Sequence, residues 1–215
     1  MRAYHGDPAI KAEYLARVAA HRAADELLQG YAYWRDGKGC AVGCTIHSDD
    51  HARYETALGI PRMLACLEDA IFEGLPQAAA RAWPERFLAA IEPGTDLSRV
   101  GWQLLRWLLT DPGINPGIEH PLVAEAVRQC AAVLESPCAG RPIDVSAPYA
   151  ARIAARIAAR SASYAARSAP YAARIAAESA SYAADAAWSA AESAAWQMIG
   201  DKLIGLLTAA TMARH

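Results

Sequence analysis

The sequence predicts an all-α protein, an antiparallel multi-helix array that closes with a long alanine-rich segment. Three observations carry this. Apolar residues recur at helical spacing through most of the first 135 positions. No stretch alternates convincingly as a half-buried strand would. From Ala147 to Trp196 nearly half the residues are alanine, the best helix former, and glycine is absent.

The elements follow in order. Asp7 can cap a first helix with Pro8 at its first position, where the missing N–H costs nothing. Ile10, Tyr14, Val18 and Leu28 then keep helical spacing up to Gly30. Tyr31 to His47 reads as irregular, with a turn signal at Asp36-Gly37 and breaks at Gly39 and Gly43. A short helix is expected from the Ser48-Asp49-Asp50 caps to Leu58, stopped by Gly59. Pro61 restarts a helix bearing Met63, Leu64, Leu67, Ile71 and Phe72, which ends near Gly74-Leu75-Pro76. The next runs from about Gln77 to Ile91, with a kink or restart expected at Pro84. Thr95, Asp96 and Ser98 offer caps for a helix striped with Val100, Leu104, Leu105, Leu108 and Leu109. Asp111-Pro112-Gly113 stops it. Pro121 opens a last helix of this part, with Val123, Val127, Cys130, Val133 and Leu134, closed at Ser136-Pro137. Short connections between such helices favour antiparallel neighbours.

The boundary is expected near residue 140, between a helical domain (1–140) and an alanine-rich helical segment (146–215) that packs on the body or on a partner. In that segment two series of alanines lie seven apart, Ala155 to Ala190 and Ala159 to Ala194. Such a seam lets another helix approach closely, because no large side chain separates the backbones. Ser146-Ala147-Pro148-Tyr149-Ala150-Ala151-Arg152 recurs as Ser168-Ala169-Pro170-Tyr171-Ala172-Ala173-Arg174. A proline inside a helix costs about 3 kcal/mol, so a break or kink near Pro170 is expected, giving a long helix or a helical hairpin. Arginines occupy the first half of the segment (Arg152, Arg156, Arg160, Arg167, Arg174) and acids the second (Glu178, Asp185, Glu192). Folding back would set opposite charges face to face, as would an antiparallel dimer, each exposed pair contributing less than about 1 kcal/mol. Ile199 to Met212, with Leu203, Ile204, Leu206 and Leu207, reads as a further helix packing back on the body.

Bulk properties exclude several classes. The net charge of -2 argues against a nucleic-acid protein. No run of about 18 strongly apolar residues suggests a membrane span. Met1 to Asp7 lacks a signal-peptide core. Five cysteines fit a reducing, cytoplasmic compartment better than a disulfide framework.

The sharpest chemical signal is Cys40, Cys44, His47 and His51. Thiolate and imidazole are the usual zinc ligands, and four fill a tetrahedral site. On one continuous helix Cys40 and His51 would lie about 16 Å apart, so a shared ion needs a bend, which Gly43 and Ser48-Asp49-Asp50 could provide. The bland alternative is two small buried hydrophobes and two satisfied histidines. A catalytic Cys44 would need a positioned base such as His47. Asp49 and Asp50 suit a helix N-terminus. Glu68 and Asp69 are expected on a solvated face, Trp102 and Trp107 in the core, and His5, His21 and His120 in isolated surface or capping positions. No nucleotide loop, nucleophile elbow or HExxH motif occurs.

The Ala147–Trp196 segment, about a quarter of the chain, resembles the alanine-rich tails of immunity proteins of bacterial toxin systems and of uncharacterised bacterial and phage-associated proteins. The likeness is one of composition. It implies a bacterial or phage protein that acts by binding a protein partner, or as a homodimer, in the manner of an inhibitor or immunity factor. The competing expectation is a zinc-binding protein or metal-dependent enzyme built on Cys40, Cys44, His47 and His51. A third is a structural spacer using the alanine-rich rod.

Overall fold

Local backbone chemistry fixes several helix ends where the sequence puts them. The computed structural model describes residues 1–115, 118, 121–142 and 181–213. These are mostly helical, with one two-stranded sheet. The helices are α1 (Pro8–Ala23), α2 (Ala41–Ile46), α3 (Arg53–Leu58), α4 (Arg62–Gly74), α5 (Gln77–Ala89), α6 (Val100–Thr110), α7 (Pro121–Cys138) and α8 (Ser181–Met212). A 3-10 turn, Ala3–Gly6, precedes them. The expected break at Pro170, the opposed charges across it and most of the alanine seam lie outside the described residues.

The chain divides into two compact units, Met1–Gly101 with Gly200–His215, and Trp102–Ile199. In the first unit α1 packs on α5 and α2, and α4 packs on α5 and α2. Tyr4, Tyr54, Phe72, Trp83 and Phe87 fill its core with Leu58, Ile60, Leu64, Ile71 and Leu88. Each such buried side chain contributes roughly 1.5–3 kcal/mol relative to exposure. The 3-10 turn joins this core through Tyr4, whose hydroxyl donates to the Leu88 carbonyl at 2.7 Å. Leu203 and Leu207 of α8 are fully buried in the same unit. A Cβ on Gly200 would stand 3.1 Å from the Trp83 ring, so the glycine sets how closely that helix lies. In the second unit Leu104, Leu105, Leu108 and Leu109 are buried, as are Val127, Leu134 and Ile199. Trp102 and Trp107 are half-buried rather than enclosed.

Asp7 caps α1 by accepting from the Ala9 N–H at 2.8 Å, and Gly59 stops α3 at φ +63. Asp96 accepts from the Ser98 N–H at 3.0 Å ahead of α6. Three readings need correction. α1 ends at Ala23, not near Gly30, because Glu26 and Leu28 exchange backbone hydrogen bonds with Gly39 (3.1 and 2.9 Å) in place of another helical turn. Of the kink or restart expected at Pro84, the restart does not occur: α5 runs through it, and burial of Trp83, Phe87 and Leu88 offsets the lost hydrogen bond. Tyr31–His47 is ordered. It holds a hairpin, β1 (Trp34–Arg35) paired with β2 (Lys38–Gly39), and then α2.

Candidate functional site

The hairpin turns on Asp36 and Gly37, both with positive φ (53° and 81°). That is the two-residue geometry whose twist matches paired strands, and Asp-Gly suits it. Two residues per strand are too few to display alternation. A Cβ on Gly39 or Gly43 would overlap the Tyr33 backbone carbonyl, so Gly39 lets the strands approach each other and Gly43 lets the hairpin lie directly on α2. The Cys40 N–H donates to that carbonyl at 3.2 Å. The backbone of Tyr33 is thereby fixed, while the side chains of Tyr31 and Tyr33 stand 47% and 49% exposed. The Arg35 guanidinium lies 6.0 Å from the centre of the Tyr31 ring.

α2 begins at Cys40, whose sulfur accepts from the Gly43 N–H at 3.5 Å. All six helical residues, Ala41 to Ile46, are buried. No amphipathic stripe marks such a helix, which is why its sequence reads as irregular. The Cys44 thiol points at the carbonyls of Gly39 (3.5 Å) and Glu26 (3.6 Å). Burial pushes it up to about 12, so it remains a protonated donor. Burial, reinforced by the Asp69 carboxylate, also pushes the Cys40 thiol far up. Neither cysteine has the electropositive setting of a reactive thiolate.

His47 ends α2 in the left-handed conformation, at φ 50 and ψ 47. Its Nε2 lies 2.8 Å from Nε2 of His21, and His21 Nδ1 lies 2.6 Å from a carboxylate oxygen of Glu26. Trp34 stacks on the His47 ring, centroids 4.4 Å apart and planes within 14°. The edge of the same indole meets His21 at 5.5 Å. Burial, followed by the Arg17 guanidinium, lowers the His47 imidazole below its usual range. His21 is therefore no isolated surface residue. It follows Tyr14 and Val18 on the inner stripe of α1, a spacing that could have revealed it.

The expected ligands take different partners. His51 faces Asp69, Nε2 to Oδ2 at 3.7 Å, with Tyr33 edge-on at 5.0 Å. Among the described residues no group of three or more histidine, cysteine or acidic side chains is placed to hold a metal ion. Glu68 and Asp69 also need correction: both are buried. Glu68 accepts from the Tyr54 hydroxyl at 2.6 Å. Its other oxygen and Asp69 Oδ1 have no hydrogen-bond partner among the described residues. Burial raises the Glu68 carboxyl well above the usual range. The signal was present, since Glu68 shares the Leu64–Ile71–Phe72 stripe and Asp69 follows Ala65 by one turn.

Tyr31, Tyr33, Trp34 and Arg35 thus form a rigid aromatic hairpin seated on two histidine–carboxylate arrangements. No protein family, curated protein or solved structure matches the chain.

Proposed function

We propose that the chain is a protein-binding module of the inhibitor or immunity kind, of bacterial or phage origin, acting in the cytoplasm. The observation that carries the reading is the hairpin. Half-exposed Tyr31 and Tyr33, with Arg35 beside them, stand on a backbone held by the Gly39 and Gly43 contacts. Tyrosine, tryptophan and arginine are the side chains that dominate interface energetics. A surface already rigid before binding loses less entropy on association. In this reading the helices form an antiparallel array, and the alanine-rich segment adds a helix or hairpin, broken near Pro170, that packs on the body or on a second protein. No helix among the described residues is long and apolar enough to cross a membrane.

The test is affinity capture with the full chain beside the Tyr31→Ala/Tyr33→Ala variant, with solution mass measured for both. A specific partner, or a homodimer, that is lost in the folded variant supports the reading. A strict monomer whose captured proteins are the same with and without the tyrosines overturns it.

A further inference from the structure

The line Glu26–His21–His47 is an arrangement that a binding surface does not require. A carboxylate only accepts, so the 2.6 Å contact places a hydrogen on His21 Nδ1. In neutral His21 the Nε2 then carries a lone pair. The 2.8 Å contact between the two Nε2 atoms needs one hydrogen between them, and His47 must supply it. The lone pair of His47 is left on Nδ1. That atom has no hydrogen-bond partner among the described residues, and His47 is exposed although His21 behind it is buried. Trp34 holds the ring plane by stacking, and the left-handed backbone of His47 fixes where the ring starts. Non-glycine residues in that conformation recur at functional positions.

This is the arrangement of a carboxylate–histidine–nucleophile triad with an imidazole in the place of the hydroxyl. The charges around it select the electrophile. Arg17 and Arg53 act on the ring as cations, and Glu26 opposes them from behind His21. Arg17 is held in place by its bonds to the Thr45 carbonyl (3.0 Å) and to Glu13 (2.7 Å). Two cations acting on an exposed nucleophile favour an anionic reactant.

We propose that His47 Nδ1 is a phosphoryl-accepting nucleophile. The Nδ1 lone pair forms the N–P bond while the bond from phosphorus to the donor's leaving group breaks, and that group leaves with the electron pair. The Nε2 proton of His47 passes to Nε2 of His21, and the resulting imidazolium is held by the Glu26 carboxylate. The acceptor ring stays neutral, and no oxidant or metal is needed.

The experiment treats the full chain with potassium phosphoramidate, whose leaving group is ammonia, and in parallel with diethyl pyrocarbonate, an uncharged electrophile. Peptide mass mapping under neutral conditions then reads each of the six histidines. The expected result is phosphorylation of His47 ahead of the other five in the unaltered protein, abolished at that peptide by His47→Asn. Glu26→Gln should slow both reagents at His47 about tenfold or more, the scale of acid–base assistance. Arg17→Gln should slow phosphoramidate alone. Melting curves establish that each variant is folded. If His47 in the unaltered protein gains phosphoryl no faster than His5, the proposal is overturned without any variant. It is equally overturned if only the uncharged reagent selects His47, or if folded Glu26→Gln reacts at the original rate.

Discussion

Replacing Glu68 by glutamine tests whether a carboxylic acid is stored neutral in the core. The side chain is fully buried, and among the described residues its one hydrogen-bond partner is the Tyr54 hydroxyl at 2.6 Å and no cation pairs with it. Burial raises its pKa in the fold, with Asp69 contributing in the same direction. In the unfolded chain it titrates near the ordinary value of about 4.3. Between those two pKa values the folded state holds a proton that the unfolded state has lost. Stability from this group is complete below about pH 4 and falls as pH rises, by up to about 1.4 kcal/mol per pH unit, until the folded-state value is reached. Glutamine cannot titrate, so the variant lacks that slope. Its amide also lacks a full set of partners, a constant cost of about 1–3 kcal/mol that moves the intercept only. The assay is urea unfolding followed by tryptophan fluorescence, for both proteins at half-unit steps from pH 5 to 7. The stability difference should swing steadily toward the variant as pH rises over that range. A difference that stays flat would mean that Glu68 ionises normally, and the burial argument would fail.

Three further outcomes are expected. Gly43→Ala pushes a methyl into the Tyr33 backbone carbonyl, which cannot swing aside as a side chain can. Its melting temperature should fall by an amount matching more than about 2 kcal/mol, and a variant melting as the parent does would show that the hairpin does not rest on α2. Gly200→Val brings a branched side chain against Trp83 and Ile71, so overpacking should cost about 1–3 kcal/mol by the same urea assay. A neutral result there would detach the end of α8 from the core. Zinc at Cys40, Cys44, His47 and His51 would require the Cys44 thiol to leave two carbonyls and His47 to release His21. Elemental analysis is therefore expected to find less than one equivalent, with melting unchanged by chelator. One tightly held equivalent would establish the four-ligand centre.

The sequence by itself determined where most helices start and stop. Asp7 with Pro8, Gly59 and Asp96 act through bonds within a few residues, so their effect is legible without the fold. The stripes on α4 and α6 were legible for the same reason. Tertiary structure decided what the stripes enclose and which distant residues meet. α1 stops short because Gly39 offers Glu26 and Leu28 backbone partners from outside the helix. α2 gives no periodic signal because every one of its faces is buried. Asp36-Gly37 announced a turn, but the strands it joins exist only because Gly39 and Gly43 admit the Tyr33 carbonyl. His21 and His47 are 26 positions apart, and only the packing of α1 on α2 makes them one hydrogen-bonded line. The division has one physical reason: caps and turns are satisfied by near neighbours in the chain, whereas a buried proton, a paired imidazole or a glycine contact is set by whichever backbone arrives from elsewhere.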